Sequence, residues 1–152
     1  MPIQIVEVNT QAGLARVFPV MNALRTELLF QDYLSIYEQA RAANCYTLVG
    51  AFVDDDQCVG LMGYRILHDY VHGKHIYVDD LVTVESFRSK GIGSQLLAFA
   101  EQEARRLACS NLRLSTGIAN TGGKKFYERE GWQCRSVVYK KVADRILQVD
   151  RS

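Results

Sequence analysis

The chain has 152 residues, of which 48% are hydrophobic, and a formal net charge of +1. This size predicts one globular domain over residues 1–152, with a hydrophobic core that needs no disulfide or metal to hold it together. The near balance of acidic and basic side chains argues against a general nucleic-acid binder, which would carry a strong basic excess.

The four cysteines, Cys45, Cys58, Cys109 and Cys134, are widely spaced and form no CxxC pair. We expect free thiols, as is usual in a reducing compartment. The first residues lack the basic and apolar regions of a secretory signal, and no apolar run approaches the roughly 20 residues that cross a bilayer. A soluble, cytoplasmic protein without membrane partners is therefore predicted.

The N-terminal part of the chain is predicted to form a strand and two helices. Residues 3–8 alternate between apolar and polar side chains, as in a half-buried strand. Thr10 can cap the helix that follows, and Pro19 is expected to break or kink it. A second apolar stripe, which starts at Tyr33, predicts another helix that ends near Asn44.

Three strands connected as an antiparallel meander are predicted next. Residues 45–53, 58–67 and 75–84 are rich in apolar and β-branched side chains. Residues 54–57 form a polar turn between the first two strands, and residues 72–74 form a tight connection between the second and third.

The C-terminal part is predicted to contain two helices and two strands. Residues 91–107 have one apolar and one charged face, as in an amphipathic helix, and residues 111–116 form a short strand. Asn120 can cap a helix that Gly131 ends, and residues 132–141 are predicted to form the last strand. The fold class is α/β (α+β), with a mixed, mostly antiparallel sheet flanked by helices.

A glycine-containing segment between a strand and a helix is the main candidate for a binding site. A helix N-terminus offers unpaired N–H groups to an anion, and glycines let the backbone approach the anion closely. Alone, the two glycines predict only a tight turn. A dinucleotide fingerprint needs a third small residue where Leu96 stands, and no P-loop sequence is present. The segment reads Arg88-Ser89-Lys90-Gly91-Ile92-Gly93-Ser94.

This segment resembles the acetyl-coenzyme A motif [RQ]-x-x-G-x-[GA] of the GNAT superfamily of N-acetyltransferases. Residues 77–83 resemble the strand that precedes this motif in the family, and residues 120–132 resemble a block that follows it. The order of the predicted elements matches as well. The resemblance implies acetyl-coenzyme A as co-substrate and no metal.

The resemblance also implies where the co-substrate binds. Residues 88–94 would hold the pyrophosphate. A bulged, splayed strand would pair with the pantetheine arm through the backbone of Leu81, Val82 and Thr83, although an ordinary central strand is the alternative. Asn120 would contact the arm, or serve only as a helix cap.

Tyr127 matches the tyrosine that serves as general acid in many GNAT enzymes. It would protonate the thiolate that leaves when the amine attacks the thioester. The alternative is a helix tyrosine that packs against Phe126 and Trp132.

Asp79 and Asp80 resemble the acidic pair of polyamine acetyltransferases. An acid at this point would bind a cationic amine and accept its proton. Adjacent strand residues point to opposite faces, so one of the two is expected at the site. Asp79 is preferred because it would share a face with Leu81 and Thr83. The alternative is a structural ion pair.

The predicted function is the direct transfer of an acetyl group, within a ternary complex, from acetyl-coenzyme A to a primary amine of a small molecule or peptide. Ser115 stands where some members that modify protein N-termini carry a glutamate, which disfavours that acceptor. The alternatives are a non-catalytic sensory or regulatory domain that binds acyl-coenzyme A, and a dinucleotide-binding oxidoreductase. The resemblance also allows a homodimer, which no residue of the sequence determines.

Two further groups of residues have ordinary structural alternatives. His68, His72 and His75 invite a metal site, but no cysteine lies close, and packing at a hairpin explains them as well. The second group is a series of aromatic residues that either lines an amine pocket or belongs to the core: Phe30, Tyr33 and Tyr37.

Overall fold

A computed structural model describes residues 2–54 and 56–143. The chain forms two compact units, an N-terminal unit that ends at Leu114 and a C-terminal unit that begins at Ser115. No helix in the described part of the chain is long and apolar enough to cross a membrane. The four cysteines are free, as predicted from their spacing.

The N-terminal unit is built on a five-stranded sheet with strands in the order β1-β2-β3-β4-β5. Neighbouring strands are antiparallel except for β4 and β5, which are parallel. The predicted α/β class with a mixed, mostly antiparallel sheet is therefore confirmed. In chain order, the elements are β1 (Gln4–Glu7), α1 (Gln11–Leu24), α2 (Phe30–Asn44), β2 (Thr47–Val53), β3 (Gln57–Asp69), β4 (Gly73–Thr83), a 3-10 turn (Glu85–Phe87), α3 (Ile92–Arg106) and β5 (Asn111–Leu114).

Helix α1 begins where its sequence predicts but does not break at its proline. The hydroxyl of Thr10 accepts a hydrogen bond from the backbone N–H of Gly13 at 3.0 Å, which caps the helix. The predicted break at Pro19 is wrong, because the helix continues to Leu24. A proline removes one intrahelical hydrogen bond, and the burial of Val17 and Met21 on either side stabilises the helical path.

Apolar side chains cover both faces of the sheet. On one face, α3 contributes Ile92, Leu96 and Ala100 to a cluster with Val78 and other strand residues. On the other face, α1 and α2 pack against a second cluster that includes Leu48, Leu61 and the aromatic side chains Tyr33, Tyr37 and Tyr46. The sheet is thus a central layer with helices on both sides.

Strand β4 contains one residue more than its partner opposite the middle of β3. Gly63 pairs with Asp80, whereas the next residue of β3, Tyr64, pairs with Val78. Asp79 therefore has no counterpart on β3 and is the extra residue of a β-bulge.

The C-terminal unit contains helix α4 (Thr121–Arg129). Asn120 caps it, and Gly131, with a φ of 92°, follows its end. The predicted strand over residues 132–141 is wrong, because that segment has no strand structure. Val137, Val138 and Tyr139 are mostly exposed, and the described residues of this unit include no other strand with which the segment could pair.

Candidate functional site

A cavity of about 500 Å³ lies in the N-terminal unit, between the sheet and the α1/α2 side. Its size is that of a small-molecule site. The wall formed by the helices and the loop after α1 is mostly apolar apart from Arg25, and the wall formed by the strands carries Arg65, Asp79 and Asp80. The lining residues are Met21, Arg25, Leu28, Tyr33, Ile36, Tyr37, Ala40, Tyr46, Arg65, Asp79 and Asp80.

Both aspartates of β4 face this cavity, contrary to the expected alternation. Val78 and Leu81 pack into the cluster on the α3 side, whereas Asp79 and Asp80 between them line the cavity on the opposite side. The bulge at Asp79 is the reason, since an extra residue lets two consecutive side chains leave the same face. The expectation that Asp79 shares a face with Leu81, and that only one acid reaches the site, is therefore wrong.

Asp79 forms a bidentate ion pair with Arg65. The Nε and Nη2 atoms of Arg65 each donate to a separate carboxylate oxygen at 2.8 Å. Burial raises the pKa of Asp79, and the contact with Arg65 partly opposes this rise. Asp79 is therefore a stronger base than an exposed aspartate, which suits the acceptance of a proton from an amine.

Asp80 is held by two partners from distant parts of the chain. The Nε and Nη2 atoms of Arg25 lie 3.1 and 3.0 Å from its Oδ1 atom. The hydroxyl of Tyr46 donates to its Oδ2 atom at 2.8 Å. Burial and the nearby Asp80 carboxylate raise the pKa of Tyr46 well above its usual value, so Tyr46 remains a hydrogen-bond donor. Arg25 also donates to the backbone carbonyl of Asp79 at 2.7 Å.

The three residues that hold the acids were not predicted from the sequence. Both acids are ion-paired, as in the structural alternative, and both also line the cavity. Arg65 gave a usable signal, because a cation in an otherwise apolar strand requires a partner. Arg25 and Tyr46 gave no such signal, because Arg25 lies just after a helix and Tyr46 just before a strand, where their residue types are ordinary.

Gly63 makes room for this arrangement. A Cβ atom at this position would lie 2.8 Å from Oδ2 of Asp80 and still closer to the hydroxyl of Tyr46. Residue 63 is opposite Asp80 in the β3–β4 ladder, so any larger side chain would collide with the hydrogen-bonded pair.

The outer edge of β4 is unpaired beside the cavity. The ladder between β4 and β5 runs from His75 and Asn111 to Val78 and Leu114. From Asp80 to Thr83, β4 therefore has a ladder on the β3 side alone within the described sheet. Leu81, Val82 and Thr83, predicted to bind the pantetheine arm, lie in this half-paired stretch.

The segment over residues 88–94 forms a turn that ends in α3. Ser89 and Gly91 have φ angles of 63° and 80°, and such alternation of left-handed residues forms anion-binding nests of backbone N–H groups. Gly91 is the N-cap of α3, and no side chain among the described residues caps this end. Gly93 lies within the helix, so the two residues of this segment with a positive φ are Ser89 and Gly91.

Charged groups of this segment are exposed around the turn. Arg88, Ser89 and Lys90 are exposed, and the ammonium of Lys90 lies 4.9 Å from the ring centre of Phe87. Ile92 is buried in the core on the α3 side, and Ser94 is half-buried. The turn is thus anchored by Ile92, while its cations are accessible to solvent.

Within the C-terminal unit, Asn120 caps α4. Its Oδ1 atom accepts a hydrogen bond from the N–H of Gly123 at 3.0 Å, and its Nδ2 atom donates to the hydroxyl of Thr116 at 3.0 Å. The capping role considered from the sequence is confirmed. The ammonium of Lys124 donates to the carbonyl of Ile118.

Tyr127 lies on α4 in an aromatic group of the same unit. Its ring centre is 5.2 Å from that of Phe126 and 6.2 Å from that of Trp132. Burial raises the pKa of Tyr127, so its hydroxyl keeps its proton at neutral pH. The alternative of packing against Phe126 and Trp132 is thus observed. The hydroxyl of Tyr127 is nevertheless protonated, as a proton donor must be.

Two of the three histidines join Asp69 and Arg113 at the β3–β4 turn. The ligand atoms of Asp69, His72 and His75 lie within 4.8 Å of one another, and His68 is not in this group. The backbone N–H of His72 donates to Asp69 at 2.6 Å, which, with a bond from the His72 ring, lowers the pKa of Asp69 to about 2. Nη1 of Arg113 lies 3.2 Å from Nε2 of the buried His75. Because this guanidinium already uses the lone pair of His75, the group is best described as hairpin packing.

Comparison with known proteins establishes the family. The profile described as "Acetyltransferase (GNAT) family" matches residues 15–132, which is most of the chain. The chain belongs to the GNAT acetyltransferase family. This membership confirms the resemblance seen in the sequence and the predicted enzyme class, an acyltransferase.

GNAT relatives with similar sequences include one that aligns over nearly its whole length. An uncharacterized N-acetyltransferase, YhdJ, of Bacillus subtilis is 29% identical over 91% of this chain and 98% of its own length. An aminoalkylphosphonate N-acetyltransferase of Salmonella typhimurium is 38% identical over 48% of this chain, and the match spans half of that enzyme.

Solved structures of other proteins share the fold. The aminoglycoside N-acetyltransferase AAC(6')-Iy, in complex with the bisubstrate analogue CoA-S-monomethyl-acetylneamine, matches with a TM-score of 0.80 and 22% identity, over 93% of this chain and 99% of that one. A transcriptional regulator from Bacillus halodurans matches with a TM-score of 0.81 and 19% identity, over the same shares of the two chains.

Proposed function

We propose that the protein transfers the acetyl group of acetyl-coenzyme A directly to the primary amine of a small molecule. The observation that carries this proposal is the position of the half-paired stretch of β4. Within the described sheet, residues 80–83 have no ladder on the side away from β3, and Asp79 and Asp80, which line the cavity, are at the start of this stretch. A free strand edge can pair with an extended amide-containing arm, and an adjacent acid can take the proton of an amine.

The residues predicted to bind acetyl-coenzyme A suit its parts. The backbone of Leu81, Val82 and Thr83 would pair with the amides of the pantetheine arm. The uncapped end of α3, with Gly91 and Gly93, and the exposed cations Arg88 and Lys90 would hold the pyrophosphate. Ser89, Ile92 and Ser94 complete this segment. AAC(6')-Iy was solved with an analogue that contains coenzyme A, which supports the choice of co-substrate.

The roles of the acids follow from their contacts. Asp79 is proposed as the base, because burial raises its pKa and Arg65 makes only one hydrogen bond to each oxygen. Asp80 is proposed to orient the amine, since its two oxygens already accept bonds from Arg25 and Tyr46. A primary amine is mostly protonated at neutral pH, so it must lose a proton before it can attack.

The proposed reaction balances with three proton transfers. The ammonium first loses a proton to Asp79, directly or through water, and the neutral amine nitrogen then attacks the thioester carbonyl carbon, so that a C–N bond forms and the C–S bond breaks. Tyr127 donates its hydroxyl proton to the departing thiolate, and the second proton lost by the nitrogen passes to solvent, from which Tyr127 is protonated again. The role of Tyr127 rests on the family resemblance and on its protonated state. A contact between Asn120 and the pantetheine arm is proposed from the resemblance alone.

The choice of a small amine is supported by relatives. Proteins named as N-acetyltransferases of aminoalkylphosphonate and of aminoglycosides are among the GNAT proteins that match parts of this chain. The cavity of about 500 Å³ suits an acceptor of that size.

Replacement of Tyr127 tests the catalytic proposal. In Tyr127→Phe, the general acid is lost while the ring packing is kept, so we expect kcat to fall by about 10²-fold or more with little change in the KM for acetyl-coenzyme A. The measurement is the release of free thiol from acetyl-coenzyme A in the presence of amines.

Tyr139→Phe is the matched control, because Tyr139 belongs to the same unit and is 92% exposed. An unchanged kcat in Tyr127→Phe would remove Tyr127 from the mechanism. If coenzyme A binds tightly and no amine of a broad panel yields free thiol, the protein is instead a non-catalytic domain that binds acyl-coenzyme A.

A further inference from the structure

The charged groups of the cavity cancel one another. Two arginines and two aspartates line it, and no lysine, glutamate or histidine is among its lining residues. Each aspartate is already paired, Asp79 with Arg65 at 2.8 Å and Asp80 with Arg25 at 3.0 Å. An acceptor with two cations would therefore meet only two carboxylates, both shared with arginines, and its second cation would lie beside those guanidiniums without an anion of its own.

Arg25 is the cation of the cavity that can accept another partner. Its side chain is 48% exposed, while that of Asp80 is 14% exposed. Its Nε and Nη2 atoms bind Asp80 and the backbone carbonyl of Asp79. No hydrogen bond to Nη1 is found within residues 2–54 and 56–143, so one edge of the guanidinium can bind an anion.

Arg65 is less available for that purpose. Its side chain is 32% exposed, both carboxylate oxygens of Asp79 are bound to it, and its guanidinium lies 5.5 Å from the ring centre of Tyr77. The bidentate pair and the ring fix Arg65 in place as a partner of the proposed base.

We propose that the acceptor is a small amine that also carries an anionic group, a carboxylate or a phosphonate, which the guanidinium of Arg25 binds. The ammonium group of such a zwitterion would lie against Asp79 and Asp80, so each charge of the acceptor meets an opposite charge. Arg25 contacts both aspartates, which requires the two charges of the acceptor to be only a few bonds apart. This inference rests on the proposed acetyl transfer and names its class of acceptor.

A matched set of four amines tests the charge requirement. 2-Aminoethylphosphonate and β-alanine carry the two proposed anionic groups, ethanolamine carries none, and 1,3-diaminopropane carries a second cation instead. We expect kcat/KM, measured by thiol release, to be about 10- to 100-fold higher for one or both zwitterions than for ethanolamine, as for a charge-assisted hydrogen bond. Equal or higher values for ethanolamine or diaminopropane overturn the inference and leave acetyl transfer to an amine intact.

Variants of Arg25 test whether its guanidinium binds the anionic group of the acceptor. Arg25→Gln should raise the KM of the better zwitterion about 10-fold or more beyond any change in the KM of ethanolamine, because the lost contact with Asp80 affects both amines whereas the lost contact with the anionic group affects only the zwitterion. Arg25→Lys should show a smaller rise, because it keeps the charge but loses the fork geometry. A purely structural role would raise the KM of all four amines equally and would overturn the inference.

Arg16→Gln is the matched control. Arg16 is 46% exposed and lies 3.0 Å from an aspartate, as Arg25 does, but it does not line the cavity. If no amine gives free thiol, the proposed reaction fails, and calorimetric titration in the presence of coenzyme A decides the binding claim separately. The binding claim is supported if a zwitterion binds the wild type and does not bind Arg25→Gln. It is overturned if no zwitterion binds, or if ethanolamine binds equally well.

Discussion

Asp79 and Asp69, at the middle and at the turn of the same β-hairpin, have surroundings that change their pKa values in opposite directions. Burial raises the pKa of Asp79, because its charged form loses contact with water. Hydrogen bonds from the backbone N–H and ring of His72 lower the pKa of Asp69 to about 2. The same residue type is thus adapted to accept a proton at one position and to remain ionised at the other.

These shifts predict opposite pH profiles for two variants. The stabilisation by Asp79 is fully present below the ordinary aspartate pKa of about 3.9 and is lost as pH rises through the raised folded value. The stabilisation by Asp69 is present above about pH 4 and is lost as the pH falls through the folded pKa of about 2. With rising pH, the free energy of unfolding of Asp79→Asn should therefore increase relative to the wild type, and that of Asp69→Asn should decrease.

Urea denaturation between pH 2 and pH 7 would measure both profiles, and each variant serves as the control for the other. The proposed environments would be contradicted by profiles that change in the same direction.

At the scale of the elements, the turn before α3 depends on one left-handed glycine. Gly91 has a φ of 80°, and apart from the adjoining backbone no atom of the described residues lies within 4 Å of the point that a Cβ atom would occupy, so a side chain there costs backbone strain without a collision. We expect Gly91→Ala to lower the free energy of unfolding by about 1 kcal/mol and Gly91→Asn to lower it less, because asparagine tolerates this conformation better.

Gly73→Ala separates strain from binding. Gly73 also has a positive φ, 62°, and its nearest atom would be an ordinary 3.5 Å contact. Both alanine variants should lose similar stability, but only Gly91→Ala should raise the KM for acetyl-coenzyme A. Equal KM values in the two variants would contradict the proposed pyrophosphate site.

The pairing of β3 with β4 depends on a second glycine. In Gly63→Ala, the new Cβ atom would collide with the hydroxyl of Tyr46 and lie 2.8 Å from Asp80. We expect a loss of about 1–3 kcal/mol in the free energy of unfolding, as for other overpacked sites, measured by urea denaturation. Gly117→Ala is the control, since its nearest atom is 3.9 Å away. The collision would be disproved if the two variants were equally stable.

At the scale of the whole molecule, the sequence predicts what neighbouring residues determine. The order of elements as far as α4, the caps at Thr10 and Asn120, and the end of α4 at Gly131 follow from local patterns and agree with the structure. The family could also be recognised, because its motif is continuous in sequence. One domain over residues 1–152 stays a prediction.

The parts that could not be predicted depend on distant residues. Arg25 and Asp80 are 55 residues apart in sequence, so no local pattern announces their contact. The bulge that turns Asp79 toward the cavity is determined by where Gly63 and Tyr64 of the neighbouring strand pair. The apolar residues around Val138 favour a strand by composition, but a strand requires a partner with which to form hydrogen bonds.

Because Asp79 is the extra residue of the bulge, its presence does not determine which face the other side chains of β4 point to. If the single codon for Asp79 were deleted, Val78 and Leu81 would still face the α3 side, and Asp80 between them would still face the cavity, since the ladder with β3 already skips Asp79. In a regular strand, the same deletion would turn every later side chain to the wrong face. A lineage could therefore gain or lose this carboxylate by one in-frame codon without rebuilding its core.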